Sequence, residues 1–110
     1  LIRHSIEVNA KRWTATMKSV MDPERTKKGR MQDIRAMRNY HVHFMVPELL
    51  DYMRRSGDPE VQQAMLEAFG WFTLSARRDE IARTAFDMSR DESLAPAVRS
   101  EALKTYNRLK

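Results

Sequence analysis

The chain has 110 residues, with 20 Lys and Arg against 15 Asp and Glu and no Cys. That length suits one compact domain or a piece of a longer array, and the lack of Cys excludes disulfides, thiolate nucleophiles and thiolate metal sites. No stretch approaches the ~18 uninterrupted apolar residues of a membrane span. Only 3 Gly and 4 Pro punctuate a sequence rich in helix formers, which argues for an all-α fold. The charge is uneven: residues 1–57 hold 12 basic against 6 acidic residues, and residues 58–110 hold 8 against 9.

The first helix is expected from about Ser5 to Met21, where Ile6, Ala10, Trp13, Met17 and Val20 form one stripe at helical spacing. Asp22-Pro23-Glu24 then interrupts. Arg25 to Arg30 carries four cations, one Gly and no apolar residue, and reads as a solvated loop or a frayed turn. A second apolar stripe starts at Met31 and runs through Ile34, Met37 or Arg38, His41 and Met45. Pro47 lacks an amide hydrogen and crowds the preceding turn, so the helix must kink or restart there. Leu49, Leu50 and Met53 resume the apolar face, and Gly57 marks its end.

Asp58-Pro59-Glu60 supplies a cap, a first-turn Pro and a first-turn acid for the next helix. Its inward set is Val61, Met65, Leu66, Phe69 and Phe72. A further helix is expected from Arg77 to about Arg90, with Ile81, Ala82, Ala85 and Phe86 inward. Asp91 to Ala95 forms a turn. Pro96 begins the last helix, with Val98, Ala102, Leu103, Tyr106 and Leu109 inward.

The chain repeats itself at an offset of 37 residues. Ser56, Pro59, Val61 and Leu66 recur as Ser93, Pro96, Val98 and Leu103. Met65/Ala102, Phe69/Tyr106 and Phe72/Leu109 pair in the same register, as do Ala68/Thr105 and Leu49/Phe86. A fixed period of this size marks a stacked array of helix pairs. One pair cannot hide both its inward faces, so a neighbour of the same pattern must cover the remainder.

The stretches from Leu49 to Val61 and from Ala95 to Leu103 resemble HEAT repeats. In that family an Asp-Pro turn precedes a second helix that opens with Val-Arg. Asp58, Pro59 and Val61 match in the first copy; Pro96, Val98 and Arg99 match in the second. Gln62 stands where Arg is usual and Ala95 where Asp is usual, which departs from the Asp–Arg ladder of the family. A kinking Pro in the first helix, usual there, suits Pro47. The resemblance implies an α-α superhelix of about three antiparallel pairs forming one domain over residues 1–110. Residues 1–36 would be a degenerate pair or cap, and 37–73 and 77–110 the clearer repeats. Leu1 in place of Met, and a last helix with no terminator, raise the expectation of a longer protein. In the family the second helices line a concave surface, which makes Glu60, Gln63, Glu67, Arg99, Lys104 and Arg108 candidate contacts for a protein partner.

Chemistry-bearing patterns are few. His41 and His43 would point about 200° apart on a helix, too far to share a metal, and only Glu48 lies near. There is no Gly-rich phosphate loop, no His-Glu-x-x-His and no nucleophile elbow. Asp79-Glu80 and Asp91-Glu92 fall at helix starts and turns, where a carboxylate complements the helix dipole. The reading is therefore a non-enzymatic module without metal or cofactor and without a membrane segment. Its first function is protein binding on the curved face. Its alternative is nucleic-acid binding through a basic set of Arg25, Lys27, Lys28, Arg30, Arg35 and Arg38, as some arrays of HEAT-like repeats hold DNA. Trp71 lies slightly off its apolar stripe, either as a boundary residue packing the next pair or as an exposed anchor for a partner.

Overall fold

A computed structural model describes residues 14–40 and 45–110, with residues 39 and 40 described by backbone alone. Among these residues the chain is all-helical, with no strand. The segments are α1 (residues 14–20), α2 (Lys27–Tyr40), α3 (Val46–Arg55), α4 (Pro59–Phe69), α5 (Arg78–Ser89) and α6 (Pro96–Leu109). The expected Ser5 cap, Ile6, Ala10 and Trp13 of the first stripe, and His4, His41 and His43, lie outside the described residues.

One boundary differs from the sequence expectation, for a local reason. The basic stretch expected as a solvated loop or frayed turn instead enters α2, whose first turn begins at Lys27. Thr26 starts it: its Oγ1 accepts the Gly29 N–H at 3.1 Å and its carbonyl accepts the Arg30 N–H at 2.9 Å. Arg30 then turns back on the end of α1. Its Nε donates to the Val20 carbonyl at 3.0 Å, and its Nη2 to those of Asp22 at 2.6 Å and Arg25 at 3.2 Å. The Asp22 carbonyl also accepts the Arg25 N–H at 3.1 Å, and the guanidinium gathers all three carbonyls at once. At Pro47 the second of the two expected outcomes holds: Pro47 sits in the first turn of α3, where a helix starts.

The α4 start follows the sequence. Asp58 is extended, and its Oδ1 accepts the Glu60 N–H at 3.0 Å ahead of Pro59. The matching position before α6 is Ala95, which offers no side-chain bond to the helix. The α3 end is closed from α4: Gln62 is buried, and its Nε2 donates to the carbonyls of Ser56 at 2.9 Å and Met53 at 3.3 Å. A buried amide at that position is thereby satisfied.

Helix α4 packs between α2 and α6; α3 packs on α4 and on α5, and α5 on α6. The Cα trace is only 17 Å thick against 48 Å long, as two helix layers at the usual 8–10 Å spacing require. Leu49, Met53, Met65, Leu66 and Phe69 are fully buried between the layers, each contributing roughly 1.5–3 kcal/mol by burial. Phe69 and Phe72 meet edge to face with centroids 5.5 Å apart. Met17, Met37, Met45 and Met88 are buried as well, so most of the Met content fills core. Thr105 ties α6 to α4, its hydroxyl donating to the Leu66 carbonyl at 2.7 Å.

The repeat holds in part. Val61/Val98, Met65/Ala102, Ala68/Thr105 and Phe72/Leu109 are buried in both copies. Leu66 and Leu103 are not equivalent, at 1% and 48% exposed, and neither are Leu49 and Phe86, at 0% and 38%. Leu103 and Phe86 thus correct the expectation that both point inward, and Tyr106 is only partly buried. The reason is one of position. Helices α5 and α6 cover the first copy, and no described helix covers the outer side of α5 and α6.

Two stability measurements follow. Leu66→Ala should cost about 3 kcal/mol in urea unfolding, whereas Leu103→Ala, at the matching repeat position, should cost less than about 1 kcal/mol. Ala95→Asp should raise stability by about 1 kcal/mol by supplying the missing cap, read from the same unfolding curves.

Candidate protein-interaction surface

Three helices of one layer present their side chains in parallel stripes. On α4 the stripe is Glu60, Gln63, Glu67 and, just past the helix end, Trp71. Steps of three and four residues keep these on one face. On α2 the stripe is Met31, Arg35 and Arg38; on α6 it is Glu101 and Arg108, two turns apart. The starts of α2 and α4 lie together, because Lys27 Nζ reaches Asp58 at 3.0 Å and Glu60 at 3.4 Å. Their ends lie together as well, through Arg38 and Glu67 at 2.7 Å. The helices therefore run parallel, and an open groove of about 410 Å³ lies between them. Met31 and Ala64 contribute its apolar lining; Arg35, Arg38, Glu60, Gln63, Glu67 and Glu101 its polar lining.

A cluster forms at the C-terminal ends of the three helices. Trp71 is 49% exposed. The Arg38 Cζ lies 5.2 Å and the Arg108 Cζ 5.7 Å from its ring centroid. Glu67 Oε1 accepts from both Arg38 Nη2 at 2.7 Å and the Trp71 Nε1–H at 3.1 Å. Gly70 lets Arg108 approach: a Cβ there would lie 3.1 Å from its Nη1 and 3.3 Å from its Cδ.

The residues expected to meet a protein partner divide accordingly. Glu60, Gln63 and Glu67 line the groove. Arg108 stands at its end beside Trp71, and Lys104 is exposed on the next turn of α6. Arg99 is placed elsewhere: it is half-buried, its Nε is enclosed, and its charge acts on Asp91 in the turn before α6. Asp91 is held below the usual carboxylate range, first by the Ser93 hydroxyl at 2.6 Å and the Ser93 N–H at 3.0 Å, with Arg54 and Arg99 adding their charge.

The basic set expected for nucleic acid is largely engaged within the fold. Arg25 pairs with Asp33 at 3.2 Å, Lys27 with Asp58 and Glu60, and Arg38 with Glu67. Arg30 is committed to carbonyls at the end of α1. Lys28 and Arg35 are exposed and form no ion pair among the described residues. The cluster of Arg38, Trp71 and Arg108 was not foreseen as a unit. Its signal was present, since the 37-residue offset sets Trp71 opposite Arg108 and Glu67 opposite Lys104.

Among the described residues, no group of three or more His, Asp or Glu is placed to hold a metal ion, and no helix is long and apolar enough to cross a membrane. Comparison with known protein families, curated proteins and solved structures finds no match to this chain.

The Lys27–Asp58 pair makes a pH prediction. A hydrogen bond from Lys27 is the main cause that lowers the Asp58 pKa, and the same bond raises that of Lys27. The lowered carboxylate contributes stability that is present above its unfolded value near pH 4 and lost as pH falls through the folded value. The raised ammonium contributes stability present below about pH 10.4 and lost as pH rises further. Lys27→Met should therefore lower the thermal midpoint slightly at pH 7, and the difference from the parent should vanish well below pH 4. Both groups are solvent-exposed, so added salt should shrink the difference at pH 7.

Proposed function

We propose that the chain is a non-enzymatic protein-interaction scaffold, built from helix pairs stacked in the HEAT-like manner, that receives a partner on the α2/α4/α6 face. The observation that carries this reading is the interleaving of opposite charges around an exposed indole. Glu60, Glu67 and Glu101 share the groove with Arg35 and Arg38, and Trp71 stands at its end. A phosphodiester backbone presents a continuous row of negative charge and would meet three carboxylates there. A polypeptide can present both signs and an apolar side chain, and Trp and Arg are the residue types that most often dominate protein interfaces. The engagement of Arg25, Lys27 and Arg30 inside the fold weighs the same way.

The test begins with a displayed library of random dodecapeptides panned against the chain. Selected peptides should lose at least roughly tenfold in affinity, about 1.4 kcal/mol, against the triple variant Arg35→Glu, Gln63→Arg, Glu101→Lys, while the helical circular dichroism is retained. Binders indifferent to the triple variant would contradict the assignment of this face. So would duplex DNA that binds at low salt, weakens steeply with added salt, and is lost when Lys28 and Arg35 are changed together.

A further inference from the structure

Charge varies along the groove. Glu60 and Glu101 stand on its N-terminal side with Arg35 also in the lining; Lys27 pairs with Glu60 at 3.4 Å, and Glu101 forms no ion pair among the described residues. Its C-terminal end holds Arg38 and Arg108 beside Trp71, and the one carboxylate in contact, Glu67, is bonded to Arg38 and to the indole. Arg108 is exposed and forms no ion pair among the described residues. It is held over the half-exposed ring without a carboxylate partner among the described residues. A second oxyanion at this end would complete the set by meeting Arg108 in the planar, two-toothed geometry that guanidinium favours.

From this we propose that the cluster of Arg108, Arg38 and Trp71 is a carboxylate subsite, and that the partner is a mixed-charge polypeptide segment placing an Asp or Glu there and a Lys or Arg at Glu101. The proposal rests on the protein-interaction reading and sharpens it to a pattern. Glu101 and Arg108 are two turns apart on one face of α6, about 10 Å along the axis. An extended strand advances about 3.3 Å per residue, so the acid and the base of the partner stand three positions apart. An apolar side chain beside the acid would cover the exposed part of the Trp71 ring. The same arithmetic disfavours a uniformly acidic segment, which would carry its charge into Glu60 and Glu101.

Synthetic octapeptides test this directly. One set carries Asp and Lys three positions apart, in either order, with Leu beside the Asp; a second carries Lys at both places; a third carries Asp at both. The readout is the Trp71 indole N–H in a proton–nitrogen NMR titration, with the assignment secured by Trp71→Phe. A mixed-charge peptide should shift that signal and bind roughly tenfold more tightly than either control. Arg108→Glu, with its helical circular dichroism checked against the parent, should invert the preference towards the peptide with two Lys.

The proposal is overturned if no peptide shifts the indole signal at millimolar concentration. It is equally overturned if Arg108→Glu leaves the preference unchanged, or if the doubly acidic peptide or inorganic phosphate binds as well as the mixed one. A duplex oligonucleotide that moves the same signal more strongly than any peptide would transfer the site to nucleic acid. Library-selected binders that depend on Arg35, Gln63 and Glu101 but not on Arg108 would leave the interaction reading standing and remove this subsite alone.

Discussion

The enclosure of α4 between α2 and α6 is the constraint from which the remaining architecture follows. Its buried stripe of Val61, Met65, Leu66 and Phe69 meets a neighbour on each side and the α3 layer below. Every apolar side chain removed from water there fixes two spacings at once. The polar bonds at this centre are also spent on joining helices. Thr105 reaches the Leu66 carbonyl across the α4–α6 contact, and Gln62 closes the carbonyls at the end of α3. A buried hydroxyl or amide left unpaired would cost about 1–3 kcal/mol, so these bonds define which register of the helices is tolerated as well as how tightly they hold.

The groove is a consequence of that packing. Parallel helices in one layer align their dipoles, and carboxylates at the N-terminal ends with guanidinia at the C-terminal ends complement them. Glu60 lies in the first turn of α4, and Arg38 and Arg108 lie in the last turns of α2 and α6. Of the three helices only α4 has an acid in its first turn, so dipole complementarity accounts for the basic end of the groove and not for its carboxylates as a set. Trp71 sits where the basic end meets solvent, and Glu67 fixes its indole through the N–H. The groove is carried on helical elements held by the core, with Trp71 in the turn just past α4.

Much of this organisation was legible in the chain itself. The Asp58-Pro59 start, the buried set of α4 and the turn at Asp91 follow from caps and spacing, and the 37-residue offset located matching core positions. What spacing could not supply was the identity of the covering neighbour. Leu66 and Leu103 are the same residue at the same register, yet one is buried and the other half-exposed, because burial belongs to the pair of surfaces and not to the stripe. The Arg25–Arg30 stretch failed for a related reason. Without an apolar residue it carries no periodicity, and its helical turn depends on Thr26 and on Arg30 reaching back to α1. Charge counts were similarly blind to pairing: the N-terminal half is basic in sum, but most of its candidate cations are matched one by one to acids or carbonyls.

Residue-resolved native-state hydrogen exchange tests the central place of α4 most directly. If its enclosure holds the fold, the amides of Met65 to Phe69 should exchange only through global unfolding, and those of the outer turns of α5 and α6 should open at lower free energy. Exchange of the α4 amides through a local opening, while α5 and α6 stay protected, would contradict the account.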